Sequence, residues 1–321
     1  MIYGYAEHDG RLVALAQGVP QTALWLDLVS PDHGDEQTLE KHLGLDLPTR
    51  EDMEEIEQSS RLYAEDGALF MTVMLPAHSE GDTPVVAPVT LVLTQRQLVT
   101  IRYHQPKAFE MFVQRAARGG MHCRGADQLM LSLLDVMVDR LADVLERVAR
   151  DIETISRSVF AKDGAKARRG TGWRSVLEEI GRKGDMVSII RDSLGTLDRL
   201  TVFWGQRLRD EPDTKDLRAR LKDLTSDVRG LEDHSTFMAQ KISFLMDATL
   251  GLISIEQNGI IKIFSVAAVA FLPPTLIASI YGMNFEVMPE LSWPYGYPTA
   301  LGVMVLSAVL PYVYFRRRGW L

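Results

Sequence analysis

One uncharged stretch near the carboxyl end decides the fold: residues 263–285 read I-F-S-V-A-A-V-A-F-L-P-P-T-L-I-A-S-I-Y-G-M-N-F, which is 23 positions without a charged side chain. A second uncharged stretch of 23 positions runs from Trp293 to Phe315. A helix rises about 1.5 Å per residue, so each stretch is long enough to cross a hydrocarbon core of about 30 Å. The sequence therefore predicts two membrane spans. No earlier stretch of this kind exists, which argues against a many-span secondary transporter.

The charges that flank the two spans predict their orientation. Basic residues flank the pair of spans on both sides: Lys262 precedes the first span, and Arg316, Arg317 and Arg318 follow the second. The loop between the spans carries only the acids Glu286 and Glu290. Because Lys and Arg accumulate on the cytoplasmic side of membranes, we expect both termini in the cytoplasm. The first ten residues lack an apolar core, so no secretory signal is expected there.

Composition excludes several functions for the rest of the chain. The protein has 321 residues, a formal net charge of −8 and one cysteine, so a disulfide scaffold is excluded. The head, residues 1–122, is rich in acids, which argues against a nucleic-acid partner. The sequence contains no phosphate-binding loop, so coupling to ATP is not expected. It also contains no hydrolase motif, and neither an enzyme nor an organic cofactor is predicted.

Before the two spans, the secondary-structure signals of the sequence change once, from mixed strands and helices to helices alone. In the head, β-rich runs between Gly, Pro and Asp residues predict strands at 23–29, 69–75, 89–93 and 98–102. Capping residues before acid-rich turns predict helices at 35–43 and 49–58. Beyond the head, helical periodicity predicts one long helix that ends near Phe160 and a second at 173–208, folded back as a hairpin.

A third helical pattern begins after Pro212 and is not interrupted before the membrane. Its apolar positions from Leu217 to Leu252 follow steps of four and three, which is typical of a helix packed against other helices. The predicted helix runs from about Asp213 to Ile280. The predicted fold class is therefore α+β. Its parts are an α/β head (1–122), a helical hairpin (123–212), a stalk helix (213–262), a first span (263–285), an external loop (286–297), a second span (298–315) and a basic tail (316–321).

The number of spans constrains any transport function. Two helices in contact enclose no water-filled lumen, so conduction would require a homo-oligomer. The face of the third helix opposite its apolar stripe mixes small, polar and apolar residues, as the lining of a hydrated pore would. An ordinary helix with two packed faces would show the same pattern. Periodicity alone leaves these two interpretations open.

A resemblance favours the pore. The segment Y-G-M-N-F at 281–285 stands with D-A-T-L-G-L-I-S-I-E-Q-N at 247–258, F-L-P-P-T at 271–275 and M-P-E-L at 288–291. Together with the ending R-R-R-G-W-L, these segments closely resemble the CorA magnesium channel family, over about a quarter of the chain. The hallmark of that family is a triplet after the first of two C-terminal spans, here Gly282, Met283 and Asn284.

The chemistry of the triplet agrees with this resemblance. Mg²⁺ releases its waters reluctantly, so a filter of neutral carbonyl groups can accept hydrogen bonds from the hydration shell. The resemblance implies homopentameric influx channels in a bacterial-type inner membrane, with Co²⁺ and Ni²⁺ as further ions. Two alternatives stay open: a zinc transporter of the same superfamily, and a membrane-anchored divalent cation sensor that does not conduct.

The resemblance also implies roles for further residues. Polar pore sites are expected at Thr275, Asn258 and Asp247, and apolar constrictions at Leu272, Phe264 and Ile261. The basic residues Lys262, Arg316, Arg317 and Arg318 would form a ring at the cytoplasmic mouth, or simply anchor the helices. The loop acids Glu286 and Glu290 either concentrate cations or are ordinary solvated carboxylates.

Regulation by the transported ion is a further expectation from the family. Its members are thought to close when Mg²⁺ binds acids that converge from neighbouring cytoplasmic domains. The candidates here are Asp223 and Asp227 on the stalk with Glu65 or Asp66 on the head. The alternative is that these four are plain surface acids. The expected partners are therefore further copies of the chain, the bilayer and divalent cations.

Overall fold

The computed structural model describes residues 1–15, 21–81, 84–119, 124–161, 172–209, 214–284 and 288–319. Its internal contacts divide the chain into two compact units, Met1–Met246 and Asp247–Leu321. The predicted loop acid Glu286 lies outside the described residues, as does the side chain of Glu290. The predicted hairpin turn at 162–171 is outside them as well.

Within the described residues, the first unit contains a seven-stranded mixed sheet with the order β2-β1-β3-β7-β6-β5-β4. The strands are β1 Ile2–His8, β2 Arg11–Ala14, β3 Trp25–Val29, β4 Leu62–Glu65, β5 Ala68–Ala77, β6 Val85–Leu93 and β7 Leu98–Arg102. Strands β3 and β7 are parallel, with Trp25 opposite Leu98. The other neighbouring pairs are antiparallel. The predicted central strands are confirmed, whereas β1, β2 and β4 had no prediction.

Helices cover both faces of this sheet: α1 His33–Leu43, α2 Arg50–Glu54, α3 Gln58–Arg61 and α4 Lys107–Arg118. On one face, Leu26 and Leu28 of β3 pack with Leu39 of α1 in one buried cluster. Side chains alternate along a strand, so Trp25 points to the opposite face. There its ring lies 5.4 Å from that of Phe112 in α4, between centroids. Burial on both faces explains why the central strands are almost continuously apolar.

Reciprocal caps fix the starts of α1 and α2. The carboxylate of Asp32 accepts from the backbone N–H of Asp35, and the Asp35 carboxylate accepts in return from Asp32. Thr49 and Asp52 repeat this arrangement at the start of α2. The predicted end of α2 at residue 58 is wrong, because Glu55 adopts an extended conformation and ends the helix after Glu54.

Three long helices follow: α5 Ala126–Phe160, α6 Gly172–Arg207 and α7 Lys215–Tyr281. Ion pairs join them, with Lys183 of α6 2.6 Å from Asp151 of α5 and Lys241 of α7 2.8 Å from Glu153 of α5. The apolar positions of the predicted repeat are buried at Leu221, Leu224, Val228, Met238, Ile242 and Leu245. The prediction that this stripe packs against other helices is therefore confirmed.

The second unit contains the two apolar stretches. It comprises the end of α7, a 3₁₀ turn at Pro289–Ser292 and α8 Gly296–Arg317. Both helices are long and apolar enough to span a membrane, and in each the most apolar window has only 6% of its residues buried. The second helix begins at Gly296, three residues after the apolar stretch starts at Trp293. Apolar side chains exposed over such lengths require a lipid or protein environment.

Candidate ion-conduction site

The triplet lies at the carboxyl end of α7. The N–H of Gly282 donates to the carbonyl of Ala278 at 3.0 Å, and the N–H of Met283 donates to the carbonyl of Ile280 at 3.3 Å. The sequence separation between donor and acceptor thus shortens from four residues to three, which tightens the last turn of the helix. The final carbonyls of a helix have no intrahelical partner and carry the negative end of its dipole. The backbone here therefore presents oxygen atoms and partial negative charge to a cation.

Close packing of the backbone explains the glycine of the triplet. A Cβ atom at Gly282 would lie 3.1 Å from the carbonyl oxygen of Ala278 and 3.6 Å from that of Ser279. The backbone of Gly282 does not adopt the left-handed conformation. A side chain at this position would therefore require the neighbouring carbonyl to shift by a few tenths of an ångström.

The polar side chain of the triplet is directed away from the packed part of the protein. Asn284 is exposed, and its amide makes no hydrogen bond within the part of the chain that the structure describes. Its carbonyl oxygen can accept from water and its NH₂ can donate. The side chain is thus available to the hydration shell of an ion.

The residues expected along a pore are all on α7, and all are exposed: Asp247, Asn258, Ile261, Phe264, Leu272 and Thr275. Between Asn258 and Thr275 the successive steps are three, three, eight and three residues, each close to one or two helical turns, which places these residues on one face. The apolar members are strongly exposed, with Phe264 at 71% and Leu272 at 66%. The structure therefore groups these residues on one exposed helix face.

A local hydrogen bond sets the chemistry of Thr275. Its hydroxyl donates to the carbonyl of Phe271 at 2.8 Å, one helical turn earlier. A hydroxyl has one donor and two acceptor lone pairs. With the proton committed to Phe271, the Thr275 oxygen offers only acceptor capacity to other groups. Waters around a cation point their hydrogens outward, so they match this site.

The basic residues occupy two places in the second unit. Lys262 is exposed on α7. Arg316 and Arg317 form the last turn of α8, where cations interact favourably with the helix dipole. The guanidinium of Arg318 lies over the Tyr314 ring, 5.6 Å from its centroid.

The candidate regulatory acids do not converge within one chain. Asp223 and Asp227 are exposed on α7, whereas Glu65 and Asp66 are exposed at the turn between β4 and β5. Among the described residues, no group of three or more His, Cys, Asp or Glu side chains is arranged to hold a metal ion. A single chain thus provides separate acids rather than a finished site.

Cationic side chains surround one of these acids. Asp223 borders a cavity of about 720 Å³. The same cavity is lined by the basic residues Arg209, Arg218, Lys222 and Arg229. Neighbouring cations repel Mg²⁺, so binding at Asp223 requires additional acids. Arg218, Lys222 and Arg229 are on α7 with Asp223, whereas Arg209 follows the end of α6, and the sequence interpretation did not consider these charges.

Two further acids near Asp227 were missed by the sequence interpretation. Burial raises the pKa of Asp135 on α5, and the charges of Asp139 and Asp227 raise it further, while Arg220 lowers it. The Arg220 guanidinium lies 2.9 Å from the Asp135 carboxylate. Asp135 interrupts an apolar stripe, which is the sequence signal that would have identified it.

An apolar cavity of about 260 Å³ adjoins the triplet in the second unit. It is lined by residues at the end of α7 and the start of α8: Ile277, Ile280, Tyr281, Met288, Thr299, Ala300 and Val303. Its walls have no charged groups. The helix end that presents the triplet is therefore backed by apolar packing.

Comparisons with known proteins identify the family. The model of the CorA-like Mg²⁺ transporter protein family matches residues 20–317. The chain is 36% identical to the magnesium transport protein CorA of Pasteurella multocida and 37% identical to that of Escherichia coli K12, each over the full length of both chains. The complete structure of the CorA magnesium transporter from Methanocaldococcus jannaschii matches with a TM-score of 0.77 at 21% identity, covering 100% of this chain and 99% of the other. This chain belongs to the CorA family, whose members are ion transporters and not enzymes.

Proposed function

We propose that the chain assembles into a homopentameric channel that admits hydrated Mg²⁺ into the cytoplasm. The observation that carries this proposal is the triplet Gly282–Asn284 at the carboxyl end of an exposed apolar helix, where the Asn284 amide is exposed and has no hydrogen bond among the described residues. Two apolar helices per chain enclose no lumen, so several copies must surround the path. The names of the full-length relatives support magnesium as the ion.

The triplet acts as the filter in this proposal. Backbone carbonyls at the negative end of α7 and the Asn284 amide accept hydrogen bonds from the waters of Mg²⁺. Neutral oxygens hold a hydrated divalent ion less strongly than carboxylates would, so the ion can leave again. No step then requires removal of the inner waters.

The exposed face of α7 conducts the ion after the filter. Thr275, Asn258 and Asp247 supply polar rings, and Leu272, Phe264 and Ile261 supply apolar constrictions that close by excluding water. Lys262 with Arg316, Arg317 and Arg318 borders the cytoplasmic mouth. Glu286 and Glu290 on the external side raise the local concentration of cations.

Transport is passive in this proposal. Moving a divalent ion through a potential of 100 mV releases about 4.6 kcal/mol, twice the value for a single charge. This energy suffices for influx through an inner membrane with both termini cytoplasmic, without ATP. Co²⁺ and Ni²⁺ also form stable hydrated ions, and we include them as further permeating ions.

Cytosolic Mg²⁺ closes the channel by binding between subunits. Asp223 and Asp227 of one chain meet Glu65 or Asp66 of a neighbour, and the ion relieves the repulsion between the carboxylates. The cations around Asp223 favour this arrangement over binding within one chain, because only the added acids of a neighbour can outweigh them. The ion therefore binds the closed assembly better than the open one.

Ion flux into proteoliposomes tests the proposal. We expect influx of Mg²⁺, with Co²⁺ and Ni²⁺ slower, driven by a negative internal potential and suppressed by Mg²⁺ loaded inside. Liposomes without protein are the control. Absence of flux under every condition would support a sensor, and a clear preference for Zn²⁺ would support a zinc transporter.

A further inference from the structure

The head contains a second cavity, of about 820 Å³, that the proposed transport does not use. It lies between β1, the segment that follows β5, the start of α4, and α5, and all its lining residues belong to the first unit. Its polar wall includes Ser79, Glu80, Lys107 and Arg140, and Tyr5 contributes an aromatic ring. Cavities of several hundred Å³ are of the size that small organic ligands occupy.

Three cations converge on the Glu80 carboxylate: Lys107 and Arg140 line the cavity, and Arg147 approaches Glu80 from outside its lining. Glu80 lies 2.6 Å from the Lys107 ammonium, 3.2 Å from the Arg140 guanidinium and 4.0 Å from that of Arg147. The hydrogen bond from Lys107 is the main reason why the pKa of Glu80 is lowered. Among the described residues, the Glu80 carboxylate is thus the shared acidic partner of these three cations.

The other charges in the cavity neutralise one another or lie at its rim. Asp27 and Arg102 form a buried pair at 2.8 Å. Glu110 accepts a hydrogen bond from Gln114 at 3.0 Å. Among the described lining residues, the acids Asp27, Glu80 and Glu110 balance the bases Arg102, Lys107 and Arg140, so displacement of the Glu80 carboxylate would leave an excess of one positive charge there.

Two sets of N–H donors add to this excess. Helix α4 begins at Lys107 without a side-chain cap, so its first N–H groups and the positive end of its dipole are directed at the cavity edge. Arg140 is 11% exposed, and its Nη2 donates to Ser79 and Glu80. Its buried Nε–H has no hydrogen-bond partner within the described residues. Among the described residues, Arg140 therefore has one N–H donor that Ser79 and Glu80 do not use.

We propose that this cavity binds a phosphate-bearing small molecule and that the Glu80 carboxylate occupies the phosphate position in its absence. A phosphate group offers more acceptor oxygens and more negative charge than a carboxylate, and arginine binds it with parallel hydrogen bonds. Glu80 is displaced easily, because its side chain is 52% exposed and ion pairs between exposed groups are weak. Tyr5 and Tyr3 line the side of the cavity where the remainder of the molecule lies.

Calorimetric titration of the full-length protein in detergent with tripolyphosphate, in buffer freed of divalent ions, tests this site. We expect one site per chain. The change Glu80→Gln removes the competing charge, so the affinity should rise about tenfold, whereas Lys107→Gln should lower it about tenfold. The matched controls Glu178→Gln and Arg174→Gln alter an exposed pair 2.9 Å apart on α6, outside the cavity, and should leave the affinity unchanged.

The source of the phosphate is distinguished by a second titrant. ATP that binds more tightly than tripolyphosphate identifies a nucleotide, and equal affinities identify a polyphosphate without a base. Unchanged affinity in either Glu80→Gln or Lys107→Gln, in protein with the melting temperature of the wild type, overturns the proposal. Absence of binding to the wild type and to Glu80→Gln overturns it as well.

Discussion

A methyl group at position 282 would stand 3.1 Å from the carbonyl oxygen of Ala278, whereas the side chain of Asn284 is exposed. Steric constraint thus accounts for the glycine of the triplet, and chemistry accounts for the asparagine. This difference separates the consequences of changing them. A larger residue at 282 shifts the backbone carbonyls, and a change at Asn284 removes an amide without disturbing the helix.

Replacement of Asn284 by alanine should abolish Mg²⁺ uptake while the protein remains folded. The exposed amide contributes to no hydrogen bond in the described structure, so its loss affects only groups outside the packed core. Flux into proteoliposomes measures the effect, and size-exclusion chromatography checks the assembly. Exposed Ser254→Ala, on the same helix, is the control. Uptake at the wild-type rate in Asn284→Ala would exclude the proposed filter.

A buried histidine predicts how the stability of the head depends on pH. The Nε2–H of His104 donates to the carbonyl of Leu75 at 2.8 Å, while its buried Nδ1 has no partner in the described residues. Burial lowers the pKa of His104, because a proton on Nδ1 would find no acceptor. The unfolded chain then binds the proton more readily than the folded one. Stability from this residue is complete above the unfolded pKa of about 6.5 and declines as the pH falls below it.

The measurement is the melting temperature of the full-length protein at about pH 7.5 and about pH 5.5, on either side of the ordinary histidine pKa. We expect a drop for the wild type that is smaller in His104→Asn. The exposed His8→Asn is the control and should melt like the wild type at both values. A drop of equal size in His104→Asn would show that the acid sensitivity arises elsewhere.

At the scale of elements, the surroundings of α7 change along its length. Up to Met246 one stripe is buried against α5 and α6, and beyond Asp247 the helix presents apolar residues without partners in the same chain. Asp223 and Asp227 lie beside the buried stripe in the first unit. One helix therefore combines a packed stalk, candidate regulatory acids and a membrane span.

Truncation of Leu221 tests the packed stripe. Leu221 is 2% exposed, and a Cβ atom at Gly205 of α6 would lie 3.6 Å from its Cδ2. We expect Leu221→Ala to destabilise the protein by about 2–5 kcal/mol, as buried leucines do when a cavity remains. Its exposed neighbour Lys222→Ala should change stability by less than about 0.5 kcal/mol. Thermal unfolding compares them, and equal effects would contradict the observed packing.

At the scale of the whole molecule, the regulatory hypothesis depends on contacts between chains. Within one chain Asp223 lies among cations and Asp227 lies near the half-buried acid Asp135, so neither environment forms a Mg²⁺ site. Acids supplied by a neighbouring head would alter this balance. Regulation would thereby be coupled to the arrangement of subunits, which is also what determines the width of the path.

Neutralisation of both stalk acids should shift gating and leave selectivity intact. We expect Asp223→Asn with Asp227→Asn to raise the internal Mg²⁺ concentration needed for closure, because Mg²⁺ then binds the closed assembly less tightly. The order of Mg²⁺, Co²⁺ and Ni²⁺ flux should not change, since Asn284 is untouched. Asp216→Asn with Asp233→Asn removes the same charge from exposed positions of the same helix and serves as control. Closure of both double variants at the wild-type concentration would identify the stalk acids as surface residues.

The sequence by itself determined the parts of this protein that depend on local patterns. Uninterrupted apolar length predicted the spans, a repeat of four and three predicted the packed face of α7, and strands buried on both faces, such as β7, were visible as apolar runs. The triplet after the first span was specific enough to indicate the family. These features depend on neighbours along the chain, so periodicity and length are sufficient to find them.

Only the tertiary structure decided what depends on residues far apart in the sequence. The short edge strand β4 has half of its side chains exposed, so its pairing with β5 left little hydrophobic pattern. Glu80 meets Lys107 from 27 positions away and Arg140 from 60, and no spacing rule connects them. Arg209, which follows α6, likewise lines one cavity with Arg218, Lys222 and Arg229 of α7. The charge and the volume of such a site depend on side chains from several elements, and these side chains come together only when the chain is folded.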